Sequence, residues 1–175
     1  MQQIREAKEG KVTHLSDMDS DDVQRFVDEA EGRLFSKEII EEARNPHNMA
    51  RLEDFDGKGV EEGLCGDSME FYIKVDSGKI SRASFFTDGC GPTIACGSRL
   101  TRYVKGSSIA KAQEFSPSSL EKLLGGLPDD HRHCAALAVA SLRKAIRDYL
   151  NRQRQDPTAN TVKSSCFHVE NEVKK

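Results

Sequence analysis

The sequence predicts an α+β domain: a small antiparallel three-stranded sheet with helices packed on one side. Three observations lead there. Met69, Phe71, Ile73 and Val75 alternate strictly with Glu70, Tyr72 and Lys74, the period of a half-buried strand. Asp76-Ser77-Gly78 is a turn sequence, and the apolar run at 80–87 after it returns as a hairpin partner. Ala135, Ala138, Val139, Leu142, Ile146, Tyr149 and Leu150 then repeat at helical spacing, the stripe of a long helix facing a core.

The remaining elements follow in chain order. The first eighteen residues have no apolar periodicity and read as an extension. Val23, Phe26, Val27, Ala30 and Leu34 predict a helix over 20–32, with Asp21 and Asp22 favouring the positive end of its dipole. Ser36 is a good N-cap for a second helix over 36–44, carrying Ile39, Ile40 and Ala43. Asn45-Pro46 stops it, because a residue before proline avoids helical geometry. A short strand over 59–64 completes the sheet. Pro92 suits a first helical position, so a helix runs from there to Val104 and Gly106 closes it. Shorter helices span 108–114 and 117–124, the second ended by Gly125-Gly126. The domains expected are a partly helical N-terminal extension (1–33), one packed domain (34–153) and a polar, disordered C-terminal tail (154–175).

Composition narrows the functions. A net charge of −3 gives no electrostatic case for nucleic-acid binding. No apolar run is long enough to span a membrane. The N-terminus has no signal-peptide core, and its acidic residues argue against a transit peptide, so a cytoplasmic location is expected. There thiols stay reduced, and the five cysteines read as metal-binding or reactive groups rather than disulfides.

Three of those cysteines carry their own short signatures. Cys65 lies in Leu64-Cys65-Gly66-Asp67, Cys90 in Gly89-Cys90-Gly91-Pro92, and Cys134 in His131-Arg132-His133-Cys134. None is a Cys-x-x-Cys pair, so a site built from them is assembled by the fold, one loop at a time. Cys90 and Cys134 fall at predicted helix N-termini, where free N–H groups and the dipole favour a thiolate. Glycines beside Cys65 and Cys90 let the backbone come close to a bulky inorganic centre. Asp67, two residues from Cys65, leaves an extended chain on the same face. With His133 the candidate donors are three thiolates, one carboxylate and one imidazole. Sulfur-rich ligation selects zinc or an iron–sulfur cluster, and one weaker oxygen ligand suits a centre that is held and then released.

The chain from Phe35 to about Leu150 resembles the U-type iron–sulfur cluster scaffold family, which includes IscU and the N-terminal domain of NifU. The matching pieces run in order: Phe35-Ser36, Asn45-Pro46-His47-Asn48, Cys65-Gly66-Asp67-x-Met69, Asp88-Gly89-Cys90-Gly91-x-x-Ile94-Ala95 and His133-Cys134. The insertion before the third cysteine that marks the zinc-dependent SufU branch is absent. The resemblance implies a scaffold, not an enzyme. It would receive sulfur from a cysteine desulfurase and iron from a donor, assemble a transient [2Fe–2S] cluster and pass it to apo-proteins, with a homodimer as one form. It implies Cys65, Cys90 and Cys134 as thiolate ligands, Asp67 as the labile ligand, His133 as an alternative ligand, and Cys134 as the persulfide acceptor. Members also bind Zn²⁺ when no cluster is present, which leaves a second reading: a zinc-bound sulfur acceptor.

Three departures stand out. Leu127-Pro128-Asp129-Asp130-His131-Arg132 replaces the Leu-Pro-Pro-Val-Lys segment read by an Hsp70-type chaperone, which puts that partner in doubt. Phe35 stands where tyrosine is usual. Cys96 is an added thiol, expected as a small packed side chain. A Cys90–Cys96 disulfide would need local unfolding of the helix. Cys166 reads as a tail thiol, and His14, His47 and His131 as solvated. The face carrying Arg143, Lys144, Arg147 and Asp148 reads as a solvated helix face.

Overall fold

A computed structural model describes residues 20–155. The chain divides between Phe35 and Ser36 into two compact units, each described by itself. In the first, helix α1 (Ser20–Leu34) is stabilised on its own surface by Gln24 to Asp28 at 2.9 Å and by the Arg33–Glu29 pair. Val27 and Leu34, two members of its expected stripe, are exposed. Of the tail expected over 154–175, Arg154 and Gln155 instead end the last helix, and the rest, with Cys166, lies outside the described residues, as does His14.

The second unit holds α2 (Lys37–Arg44), β1 (Gly57–Glu62), β2 (Ser68–Asp76), β3 (Lys79–Thr87), α3 (Gly91–Val104), α4 (Ile109–Gln113), α5 (Pro117–Leu123) and α6 (Arg132–Gln155). The strands form one antiparallel sheet in the order β1-β2-β3. Phe71 lies opposite both Gly59 and Phe85, which fixes the register at the sheet centre. The helix starts are chemically determined. Ser36, Ser108 and Ser116 each accept a backbone N–H of their own first turn, at 3.1–3.3 Å.

Helices α3 and α6 lie on one face of the sheet, where Met69, Phe71, Ile73, Ile80 and Phe85 meet Leu100, Leu142 and Ile146, all fully buried. Each such side chain is worth about 1.5–3 kcal/mol of burial. β1 can press against α6 because of its glycines: a Cβ at Gly59 would strike the Ser141 carbonyl. This contact moves the strand two residues earlier than its expected start at 59. It also uses the helix face expected to be solvated. Lys144 pairs with Glu61 at 2.6 Å and donates to the Val60 carbonyl, and Asp148 accepts the Lys58 N–H at 2.9 Å.

The other face of the sheet is partly covered, which strand periodicity alone did not foretell. Tyr72 is buried there by Phe55, edge to face at 5.4 Å. Residues 47–49 tie α2 to the sheet and to α3. The His47 N–H donates to Ser98 at 2.8 Å, the Asn48 side chain to Thr101 at 3.1 Å, and the Asn48 carbonyl accepts from the Phe85 N–H at 3.0 Å. Among the described residues no helix is long and apolar enough to cross a membrane.

Candidate metal and cluster site

The antiparallel hairpin brings the start of β2 and the end of β3 to the same end of the sheet, with Met69 opposite Thr87. The two loops at that end carry Cys65 and Cys90. The first is a tight turn: the Gly66 N–H donates to the Gly63 carbonyl at 3.1 Å, the Gly63 N–H to the Asp67 carbonyl at 2.8 Å, and Gly66 takes a φ of +85°. That conformation favours glycine and leaves Cys65 exposed at the tip. The second loop is shaped by Asp88, whose carboxylate accepts the Ser68 N–H at 2.7 Å and the Ser68 hydroxyl at 3.1 Å. Cys90 is the N-cap residue of α3 and is exposed, but its side chain caps no backbone group. Its sulfur is therefore left for other partners.

Cys134 lies in the first turn of α6 and is fully buried. Its environment overturns one expectation. A helix N-terminus favours a thiolate, yet burial dominates and pushes the Cys134 thiol up to about 12, with the neighbouring Cys90 and Cys65 raising it further. A hydrogen bond from Thr93 opposes the shift but does not cancel it. Without a cation nearby, Cys134 is a protonated thiol at neutral pH.

The predicted residues meet through a residue the sequence did not single out. The Thr93 hydroxyl lies 3.2 Å from the Cys134 sulfur, 3.3 Å from an Asp67 carboxylate oxygen and 3.4 Å from the Cys90 sulfur. The same Asp67 oxygen accepts the Cys90 N–H at 3.4 Å. His133 brings its Nε2 to 3.6 Å from the Cys134 sulfur. Cys65 stands on the adjoining turn, near enough for its charge to raise the Cys134 thiol. Gly89 makes the closure feasible, since a Cβ there would fall 2.7 Å from both Asp67 Oδ2 and the Thr93 methyl. Gly91 is under no such constraint. Periodicity could not have found Thr93. Its one signal in the sequence is a hydroxyl three residues beyond Cys90, in the first turn of a helix.

Among the described residues, no three Cys, His, Asp or Glu side chains stand at ligating geometry. The donor chemistry nevertheless fits a thiophilic centre: three sulfurs, one carboxylate and one imidazole at one end of the fold. The other candidates behave differently. Cys96 is fully buried in α3 and its thiol is driven well up by that burial, so it packs. His47 is exposed as expected. His131 is not simply solvated: it is partly buried, bonds Asp130 at 2.8 Å and stacks on His133.

Comparison with known proteins places this geometry in a lineage. Residues 34–156 match the family described as NifU-like N terminal domain. An iron-sulfur cluster assembly scaffold protein IscU of Archaeoglobus fulgidus is 38% identical over 120 residues, covering 68% of this chain and 78% of the relative. A Drosophila melanogaster relative, named iron-sulfur cluster assembly enzyme IscU, is 39% identical over 127 residues, covering 70% and 82%. The fold is shared with a NifU-like protein (N-terminal) from Brucella abortus, at a TM-score of 0.54 and 20% identity, covering 67% of this chain and 94% of that one. With most of its length inside the family match and its cysteine loops gathered at one end of the sheet, the chain belongs to the NifU-like N-terminal domain family.

Proposed function

We propose that this protein is a scaffold on which an iron–sulfur cluster is assembled and from which the cluster passes to apo-proteins. It is a carrier rather than an enzyme with turnover of its own. One observation carries the reading: Asp67, Cys90 and Cys134 come from three separate elements and meet around one buried hydroxyl, with Cys65 exposed on the next turn. Soft sulfurs hold iron and sulfide, and the single carboxylate is the weakest link, the one an acceptor protein displaces first. In this reading Cys65, Cys90, Cys134 and Asp67 are the ligands, His133 is an alternative nitrogen donor beside Cys134, and the cluster is a [2Fe–2S] centre.

The partners in this reading are those the family resemblance implies. Sulfur arrives from a cysteine desulfurase and the finished cluster leaves to an apo-protein acceptor. Cys65 and Cys90 are open to both. Cys134 remains the persulfide acceptor of this proposal, although its burial requires the site to open or a metal to deprotonate it first. A reducing compartment such as the cytoplasm suits the four described cysteines, all of which are free thiols.

The test is anaerobic reconstitution with iron, cysteine and a cysteine desulfurase, followed by visible absorption. Wild type should develop cluster absorption and transfer it to apo-ferredoxin, and Cys65→Ala, Cys90→Ala and Cys134→Ala should each lose it. The same four donors also make a tetrahedral zinc set. If no cluster forms and tightly held zinc remains, the protein is a zinc-bound sulfur acceptor instead.

A further inference from the structure

We propose that Thr93 is a positioning residue of the ligand site: a non-ligating hydroxyl behind the metal that holds Asp67, Cys90 and Cys134 in register by hydrogen bonds. The inference rests on the scaffold reading and adds a residue to it. Three distances carry it, 3.2 Å to the Cys134 sulfur, 3.3 Å to Asp67 and 3.4 Å to the Cys90 sulfur. The three neighbours belong to α6, to the loop before β2 and to the cap of α3. The Thr93 hydroxyl touches all three.

Its place relative to an incoming ion follows from exposure. Thr93 and Cys134 are fully buried, whereas Cys65 and Cys90 are exposed. An ion arriving from solvent meets the donors from the outer side, and the hydroxyl remains beneath them. Thr93 is held there by its helix, which starts at Gly91 and Pro92, and by the bare Gly89 backbone, where a side chain would collide with its methyl.

The hydroxyl's own inventory sets what it can do. It has one proton to give and two lone pairs to accept with. Its proton faces both Asp67 Oδ2 and the Cys134 sulfur, and its lone pairs are free toward Cys90. One hydroxyl thus spans the carboxylate and both sulfurs and fixes their spacing. Supporting residues of this kind typically change metal affinity by about 10–100-fold when removed.

The experiment separates hydroxyl from shape. Zinc affinity is measured by competition with a chromophoric chelator for wild type, Thr93→Val and Thr93→Ser, each first checked for a cooperative melt. Valine keeps the shape and loses the hydroxyl; serine does the reverse. The expected result is about 10–100-fold weaker zinc binding in Thr93→Val, with Thr93→Ser within about threefold of wild type. If Thr93→Val does not fold, Thr93→Ala against Thr93→Ser isolates the same hydroxyl. On reconstituted protein, Thr93→Val should also lower the cluster's reduction potential, since hydrogen bonds to sulfur raise it. A purely packing residue would show the opposite pattern, with Thr93→Ser impaired and Thr93→Val normal. That pattern, or a Thr93→Val affinity equal to wild type, overturns the proposal. A wild type that binds zinc but builds no cluster overturns the scaffold reading and leaves the zinc comparison to decide on Thr93.

Discussion

The outer face of the sheet and its cysteine-bearing end treat polar groups in opposite ways. On the outer face Glu70 takes hydrogen bonds from Arg51, at 2.7 and 3.0 Å, and from the Tyr72 hydroxyl, and pairs with Lys58 at 3.0 Å. Arg51 also stacks over Phe86 at 3.8 Å. The Arg51 guanidinium, the Tyr72 hydroxyl and Lys58 together hold the Glu70 carboxyl down to about 2. At the cysteine end two thiols and a carboxylate share one hydroxyl, and burial holds the Cys134 thiol up at about 12. The first arrangement is complete in itself. The second gathers the proposed donors around one hydroxyl. That contrast separates a self-contained polar cluster from the proposed ligand site in this fold.

The sharpest way to break the comparison is to delete one member of each set. Cys134→Ala should abolish cluster and zinc retention while shifting the melting temperature of the metal-free protein by only a few degrees, read by absorption and calorimetry. Metal affinity should also depend steeply on pH. Cys134 must lose its proton to ligate, so chelator competition should show zinc binding tightening by about tenfold per pH unit for each proton displaced. Glu70→Ala should do the reverse of Cys134→Ala. It leaves the buried Tyr72 hydroxyl without its acceptor, at a cost of about 1–3 kcal/mol in denaturant titration, with zinc affinity unchanged.

The two regions should also fail at opposite ends of the pH scale. Glu70 is depressed from 4.5 to about 2, so the unfolded chain takes up its proton first. Its stabilisation is present above about 4.5 and lost as pH falls toward 2. Cys134 is raised from 9.0 to about 12, so the unfolded chain loses its proton first, and metal-free stability declines as pH rises from 9 toward 12. Denaturation midpoints against pH should show both limbs. Cys134→Ser should flatten the alkaline one and Glu70→Gln the acid one. The smallest effect belongs to neither region. Lys144→Ala removes a half-exposed pair with Glu61 and should cost about 0–1 kcal/mol with no change in metal binding.

Much of the molecule was legible before any coordinates. The strand alternation at 69–75, the Ser36 cap, the Asn45-Pro46 stop and the long stripe from Ala135 to Ile146 are local signals, each read from neighbours in sequence, and each corresponds to an observed element. The cysteine motifs and their order identified the family for the same reason: a motif is a local string. The short 3-10 turn at Asp129–His131 escaped notice, because a single turn has no periodicity to detect.

What only the tertiary structure decided is everything that depends on which surfaces meet. The alternation made Tyr72 a solvent-facing position, but Phe55 from an irregular segment covers it. Lys144 and Asp148 looked solvated until β1 lay against them. A helix N-terminus favoured a thiolate at Cys134, whereas burial, a property of the packed whole, pushes that thiol up. Thr93 meets residues 26 and 41 positions away in sequence, a convergence no local pattern encodes. Sequence by itself settled most of the elements, the candidate donors and the family, because those rest on backbone propensity and short strings. The fold settled how the donors are held and in which protonation state, because solvation and distance are set by long-range packing.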